Sequence, residues 1–244
     1  MQHCRLCLRE RKLCDSHIIP EFLYSDLYNS KRQMMAVSGL GRKGWKPLQK
    51  GATEHLFCEC CEQHFENFME GPFKTEWCDK SLLPDPWPPD HIELVKVKDY
   101  AAFKLFHLSI LFRAGVSSLP TFAKVQLGQH EQRLRRLLIS KDPGRADRYS
   151  VFGYAVVRHD NQRIVPMVSR TQISSIGSRP CYGTIYGGVQ WWVRVTSSAH
   201  QEFQSISLKE DGTMPIAAVA WNEVSVIQAA SLALRGADAY SGRG

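Results

Sequence analysis

The chain has 244 residues, of which 43% are hydrophobic and 23% are charged, a composition typical of folded globular proteins and unlike that of disordered ones. Its 31 basic and 24 acidic residues give a formal net charge of +7, which favours a polyanionic partner such as nucleic acid. No apolar run reaches the roughly 18 residues that a membrane-spanning helix needs, and the N-terminus shows no secretory signal. The sequence therefore predicts a cytoplasmic protein without a membrane partner.

Cysteines are concentrated at the start of the chain, where seven of the eight lie within the first 78 residues. Because disulfides are rare in reducing compartments, this clustering indicates metal binding. Two Cys-x-x-Cys pairs stand out, and four thiolates are a common ligand set for structural zinc. The predicted zinc ligands are Cys4, Cys7, Cys58 and Cys61.

The two pairs are expected to occupy different local structures. The first pair is predicted to form a tight turn that leads into a hairpin, and the second to open a helix over CCEQHFENFMEGPF. One cysteine pair in a turn and a second pair at the start of a helix are the arrangement of a treble-clef zinc finger. Cys14 and Cys78 are interpreted as buried thiols, with substitute ligation as the alternative.

The 50 residues between the two pairs contain a basic insertion, with SKRQ followed by GRKGWKPLQK. Basic side chains of this kind neutralise backbone phosphates without reading base sequence. For each of them the alternative is a solvated loop residue. The predicted nucleic-acid-binding residues are Lys31, Arg32, Arg42, Lys43, Lys46 and Lys50.

A proline-rich stretch divides the sequence, with four prolines in the ten residues from Leu82 to His91. Proline cannot donate to a helix or a sheet, so these residues are predicted to form an extended linker. The linker would separate a zinc-stapled domain of residues 1–81 from an α+β domain of residues 92–244. The predicted fold class of the whole chain is α+β.

The second domain is predicted to hold helices packed on an antiparallel sheet. DYAAFKLFHLSILFRAG is apolar around most of its circumference, which predicts a buried helix that begins after Asp99 and stops near Gly115. A further helix is predicted over GQHEQRLRRLLISKD. Strands are predicted within YSVFGYAVVRH, QRIVPMVSR, TIYGGVQWWVRVTSS and MPIAAVAW, which are rich in β-branched and aromatic residues. Gly187 and Gly188, in the third of these segments, are predicted to form a bulge or turn beside packed aromatic residues.

The order of the motifs CRLC, SHIIP and LFCECC resembles that of zinc-containing HNH endonucleases, the ββα-metal family. In that family a first cysteine pair precedes a strand that ends in a histidine, and a second pair opens the metal-bearing helix. The resemblance covers roughly residues 1–75. It implies an HNH-like N-terminal domain that cleaves nucleic acid, DNA in preference to RNA, in a setting such as defence or mobile elements.

The resemblance implies a role for two residues. His17 would be the general base that takes a proton from the attacking water, because an imidazole titrates near neutral pH. Glu62 stands at the position of the family's metal-binding histidine. Glu66 and Glu70 follow it at four-residue spacing on the predicted helix and are interpreted as part of a solvated acidic face. The implied cofactors are a structural Zn²⁺ and a catalytic Mg²⁺ or other divalent cation.

Besides Glu62, the sequence departs from the family at two further positions, and this leaves alternatives open. Ser16 stands where many members have an acidic residue, and no asparagine precedes the second cysteine pair. One alternative is a non-catalytic zinc module that binds nucleic acid. Another is a protein-interaction factor that recruits its partner through the C-terminal domain, with His17 in a structural or zinc-binding role.

Overall fold

The structure, a computed structural model, describes residues 2–36, 46–176, 179–196 and 203–224. The strands in this part of the chain are β1 (Gln2–His3), β2 (Glu10–Arg11), β3 (Leu13–His17), β4 (Met34–Ala36), β5 (Lys46–Leu48), β6 (Thr53–Cys58), β7 (Ile92–Lys96), β8 (Val151–Val157), β9 (Gln172–Ile176), β10 (Arg179–Tyr186), β11 (Val189–Arg194) and β12 (Thr213–Ala220). The helices are α1 (Glu59–Phe65), α2 (Gly71–Phe73), α3 (Tyr100–Val116) and α4 (Gln129–Ser140). Wider π turns over Glu66–Glu70 and Lys74–Cys78 continue α1 and α2.

The cysteine-bearing segment is built on a strand pair followed by a helix. Strands β3 and β6 run antiparallel, with His17 opposite Thr53 and Leu13 opposite Cys58. Helix α1 begins directly after β6. Two further strand pairs, β1 with β2 and β4 with β5, flank this unit.

The large sheet has six strands in the order β7-β12-β8-β11-β10-β9 and is mixed. Strand β12 is parallel to β8, from Ala217 opposite Tyr154 to Ala220 opposite Val157. All the other pairs in this sheet are antiparallel. The predicted antiparallel sheet is therefore wrong for one pair. Parallel neighbours need a crossover connection, which the chain between β8 and β12 supplies.

Two local predictions for the sheet had different outcomes. The predicted turn at Gly187 and Gly188 joins β10 to β11, and both residues have positive φ values of 56° and 79°, as a two-residue hairpin turn requires. The predicted strand in QRIVPMVSR is wrong, since this stretch forms one isolated bridge, between Ile164 and Val157. Pro166 in its middle has no amide to donate to a neighbouring strand.

Helix α3 lies at the centre of the molecule. The carboxylate of Asp99 accepts a hydrogen bond from the amide of Ala102 at 2.9 Å, which confirms the predicted N-cap. Every residue from 102 to 114 is buried, as the apolar sequence predicted. None of the described helices is long and apolar enough to cross a lipid bilayer.

One hydrophobic cluster joins residues from both sides of the proline-rich stretch. The rings of Phe73 and Phe106 stack with centroids 3.8 Å apart, and those of Trp77 and Trp191 meet at 4.9 Å. Trp87, within the proline-rich stretch, is buried, and its amide donates to the carbonyl of Gln162 at 2.8 Å. The division into two domains stays a prediction.

Candidate metal centre and the His17 site

The four predicted zinc ligands come together in one cluster. Cys4 and Cys7 lie in the turn between β1 and β2, Cys58 ends β6, and Cys61 lies in the first turn of α1. Their sulfur atoms all lie within 4.8 Å of one another, and the Sγ atoms of Cys7 and Cys58 are 3.9 Å apart. A tetrahedral zinc site with Zn–S bonds of about 2.3 Å has S–S edges of about 3.8 Å. The donor set therefore fits a zinc ion.

Electrostatics around the cluster favour a thiolate at one of the four sulfur atoms, that of Cys4. The Cys61 thiol hydrogen-bonds to Cys4 and, with backbone donors, lowers the pKa of Cys4 to about 4 against the effect of burial. One of these donors is the amide of Cys58, 3.4 Å from the Cys4 sulfur. Burial raises the pKa of Cys7, and the hydrogen bond to Cys4 raises that of Cys61. A dication would displace the remaining protons, because thiolates are the binding form.

The other four cysteines lie outside this cluster. The buried-thiol interpretation is wrong for Cys78, which is exposed, while Cys14 is half-buried. Cys60 is exposed and lies beside Arg11, whose Nη1 is 3.6 Å from its sulfur. Within the described part of the chain, the four-cysteine cluster is the one group of His, Cys, Asp and Glu side chains spaced like metal ligands.

His17 ends β3, just before the short 3₁₀ helix Glu21–Leu27. Its Nε2 atom lies 2.9 Å from Oε2 of Glu21, so an imidazolium would form an ion pair there. The side chain retains 28% of its exposure, which leaves the ring accessible from one side. Its main-chain oxygen accepts a hydrogen bond from Nη1 of Arg113 at 2.9 Å.

Arg113 links His17 to the acidic face of the first helical segment. Its guanidinium, 1% exposed, forms an ion pair with Glu70 and lies 4.0 Å from Oε2 of Glu62. The same group sits over the ring of Phe65, 4.4 Å from its centroid. The interpretation of Glu70 as a solvated residue is therefore wrong, because its side chain is 12% exposed and paired with Arg113.

Glu62 lies in the first turn of α1, where it faces both Arg113 and His17. Burial raises the pKa of its carboxyl, while the charge of Arg113 and a hydrogen bond with Ser16 oppose the rise. Oε1 of Glu62 is buried and makes no hydrogen bond within the described chain. This oxygen fits a hard cation such as Mg²⁺, which typically takes one or two carboxylates together with water and phosphate oxygens.

The basic residues predicted to bind nucleic acid are only partly described. Lys31 and Arg32 are exposed, and Lys50 forms an ion pair with Asp15 at 2.6 Å. The predicted contacts by Arg42, Lys43 and the side chain of Lys46 lie outside the described residues.

Sequence reasoning missed Arg113 and Glu21, and it misassigned Glu70. A signal for Arg113 was present, since a charged residue in a helix that is apolar all round must find a partner when buried. Glu21 follows His17 at a spacing of four residues and carried no comparable signal.

Comparison with known protein families, with curated proteins and with solved structures finds no match for this chain. Two features of the fold bear on function, the four-cysteine cluster and the polar site around His17.

Proposed function

We propose that this protein is a metal-dependent endonuclease of HNH type that hydrolyses phosphodiester bonds in nucleic acid, DNA in preference to RNA. The observation that supports the proposal is the convergence of the main-chain oxygen of His17 and the carboxylate of Glu62 on one guanidinium, that of Arg113. His17 lies on β3 and Glu62 on α1, and β3, its antiparallel partner β6 and α1 follow one another in the order that the resembling nucleases use. The turn pair and the helix-start pair of cysteines support a treble-clef zinc finger as the scaffold.

In the proposed reaction, Nδ1 of His17, the ring nitrogen that does not face Glu21, takes a proton from water, and the water oxygen attacks the phosphorus atom. The other nitrogen, Nε2, is buried against Glu21 and keeps its proton. The ester oxygen of one nucleotide leaves as the new bond forms. Glu21, 2.9 Å from Nε2, stabilises the imidazolium that results. Glu62 would hold a divalent cation beside the scissile phosphate, and the cation would stabilise the negative charge that develops on the leaving oxygen. Arg113 keeps the end of β3 in place through the carbonyl of His17.

A specific observation favours a second candidate, a non-catalytic zinc module that binds nucleic acid. The guanidinium of Arg113 already places positive charge beside Glu62 and Glu70, where a nuclease would hold its cation. Ser16, at the family's acidic position, is buried and accepts a hydrogen bond from the amide of Phe57 at 3.2 Å. In this candidate the polar site holds the strands together and performs no chemistry.

A cleavage assay separates the two candidates. Purified protein is incubated with supercoiled plasmid DNA and with RNA in Mg²⁺, Mn²⁺ or Ni²⁺, and cleavage products are resolved on gels. We expect His17→Ala to lower the rate roughly 100- to 10,000-fold, the usual contribution of a general base. The matched control is His159→Ala, since His159 is an exposed residue in the turn after β8. Zinc content and melting temperature should be unchanged in both variants.

Three outcomes would contradict the proposal. If the wild-type protein binds nucleic acid and cuts none with any of the three ions, the second candidate is correct. If His17→Ala cuts like the wild type, His17 is not the base. Loss of zinc or of folding in His17→Ala would assign this histidine a structural role.

A further inference from the structure

Leu8 has an unusual combination of backbone and exposure at the end of the first cysteine turn. Its φ of 60° lies in the left-handed region, and its side chain is 56% exposed. Glycine or asparagine adopts this conformation more easily than leucine, because a branched side chain crowds the backbone there. An exposed leucine in this conformation contributes little apolar burial to folding, and its side chain is available to a partner.

The turn that carries Leu8 is held firmly on both sides. The amide of Leu8 donates to the carbonyl of Cys4 at 2.9 Å, and the amide of Cys4 donates to the carbonyl of Arg9 at 3.0 Å. The main chain of Arg5 is fixed by β6 through the carbonyl of Leu56, and by α4 through Nε of Arg135, both at 2.9 Å. Because its backbone is already fixed, the turn would lose little conformational entropy when a partner binds.

The surroundings of Leu8 are basic. Among residues 2–12 there are four exposed cationic side chains and one acidic one, Glu10; the cations are Arg5, Arg9, Arg11 and Lys12. Arg5 also lines an open groove of about 370 Å³ beside β6, together with the exposed histidines His3 and His55 and one acidic residue, Glu54. This surface matches nucleic acid. The phosphates would contact the cations, and the apolar sugar and base edges between the phosphates would contact Leu8.

We propose that the turn tip, formed by Arg5, Leu8 and Arg9, is a nucleic-acid docking surface. The two guanidiniums contact backbone phosphates, and Leu8 contacts sugar or base edges, as apolar wedges do in minor-groove binders. The proposal rests on nucleic acid being the partner in the proposed function, and it names a contact region other than the basic insertion between Lys31 and Lys50. It does not depend on cleavage.

The test measures affinity for a fluorescently labelled mixed-sequence DNA duplex, without added divalent ions so that no cleavage occurs. Asparagine tolerates positive φ, so Leu8→Asn should keep or raise the melting temperature while weakening binding about fivefold or more. The matched control is Leu94→Asn, since Leu94 on β7 is 63% exposed. Replacing Arg5 and Arg9 together by glutamine should reduce the slope of log affinity against log salt by about 2. Zinc content is measured in every variant.

Two outcomes would overturn the docking surface. The first is unchanged affinity. Leu8→Asn and the double arginine variant would then retain full zinc content and bind DNA as tightly as the wild type and the control Leu94→Asn. The second is that the wild type binds neither DNA nor RNA but binds polyglutamate through Leu8, which would assign the tip to an acidic protein. Failure of the cleavage assay alone leaves this surface standing, because binding is scored separately.

Discussion

Arg113 donates a hydrogen bond from Nη1 to the main-chain oxygen of His17 across 2.9 Å, so the position of the candidate base depends on α3. The donor is buried in the centre of the molecule, whereas His17 lies at its edge with part of its ring exposed. The same guanidinium balances the carboxylates of the first helical segment. Any change at Arg113 should therefore act on both the stability of the fold and the geometry of the candidate site.

Replacing Arg113 by methionine should lower the free energy of unfolding by about 3–5 kcal/mol, the usual cost of leaving one member of a buried ion pair without its partner. The unpaired group here is Glu70, with Glu62 beside it. The double variant Arg113→Met with Glu70→Gln should recover part of this loss, because it also removes the buried charge. Urea denaturation measures these values, with Arg136→Gln on the exposed face of α4 as the control. A loss below about 0.5 kcal/mol in Arg113→Met would show that the ion pair is not needed.

Elemental analysis of the purified protein should find about one zinc ion per chain. Cys61→Ser should lose this zinc and unfold at lower temperature, because a structural zinc contributes its binding free energy to folding. Cys60→Ser is a matched control one residue away, since Cys60 is exposed and lies outside the cluster. A Cys61→Ser protein that retains zinc and stability would contradict the ligand assignment.

The contribution of Glu54 to stability should depend on pH. Burial alone would raise the pKa of this carboxyl, but hydrogen bonds from Ser117 and Ser118 outweigh burial and hold the pKa below its usual value. The folded state thus binds fewer protons at this group than the unfolded chain does. Its contribution is present above the unfolded pKa of about 4.3 and is lost as pH falls through the lower folded pKa.

Denaturation of wild type and Glu54→Gln across pH values tests this expectation. Glutamine keeps the size of the side chain and removes the charge, so the variant should be less stable by about 1 kcal/mol at pH 7, where charged acceptors bind more strongly. The difference should shrink toward zero in acid. A difference that stays constant with pH would show that the charge of Glu54 does not strengthen these hydrogen bonds.

Features governed by residues close together in the sequence were predictable here. The spacing within each Cys-x-x-Cys pair predicted a shared site, and the structure brings all four sulfur atoms together. Asp99 predicted the start of α3, and the glycine pair at 187 and 188 predicted a turn. In each case the local backbone conformation depends on a few neighbouring residues, so it can be predicted from their order in the sequence.

Features governed by distant partners were not predictable. The direction of β12 relative to β8 depends on how the connecting chain crosses the sheet, which strand composition does not encode. Glu70 was interpreted as solvated because its partner, Arg113, lies on another helix. The polar site around His17 is built from three segments of the chain, so its full membership became visible only in the folded structure.

The spacing of the cysteine pairs also has a consequence for synthesis of the chain on the ribosome. Cys7 and Cys58 are 51 positions apart in the sequence, although their sulfur atoms lie 3.9 Å apart in the cluster. At the usual elongation rate of about 5–20 residues per second, the first two thiols are made about 3–10 seconds before the second pair. During that interval a nascent chain can offer a metal only two of the four sulfur atoms of the cluster, so these thiols are most exposed to oxidation and to capture of the wrong ion before translation reaches Cys61.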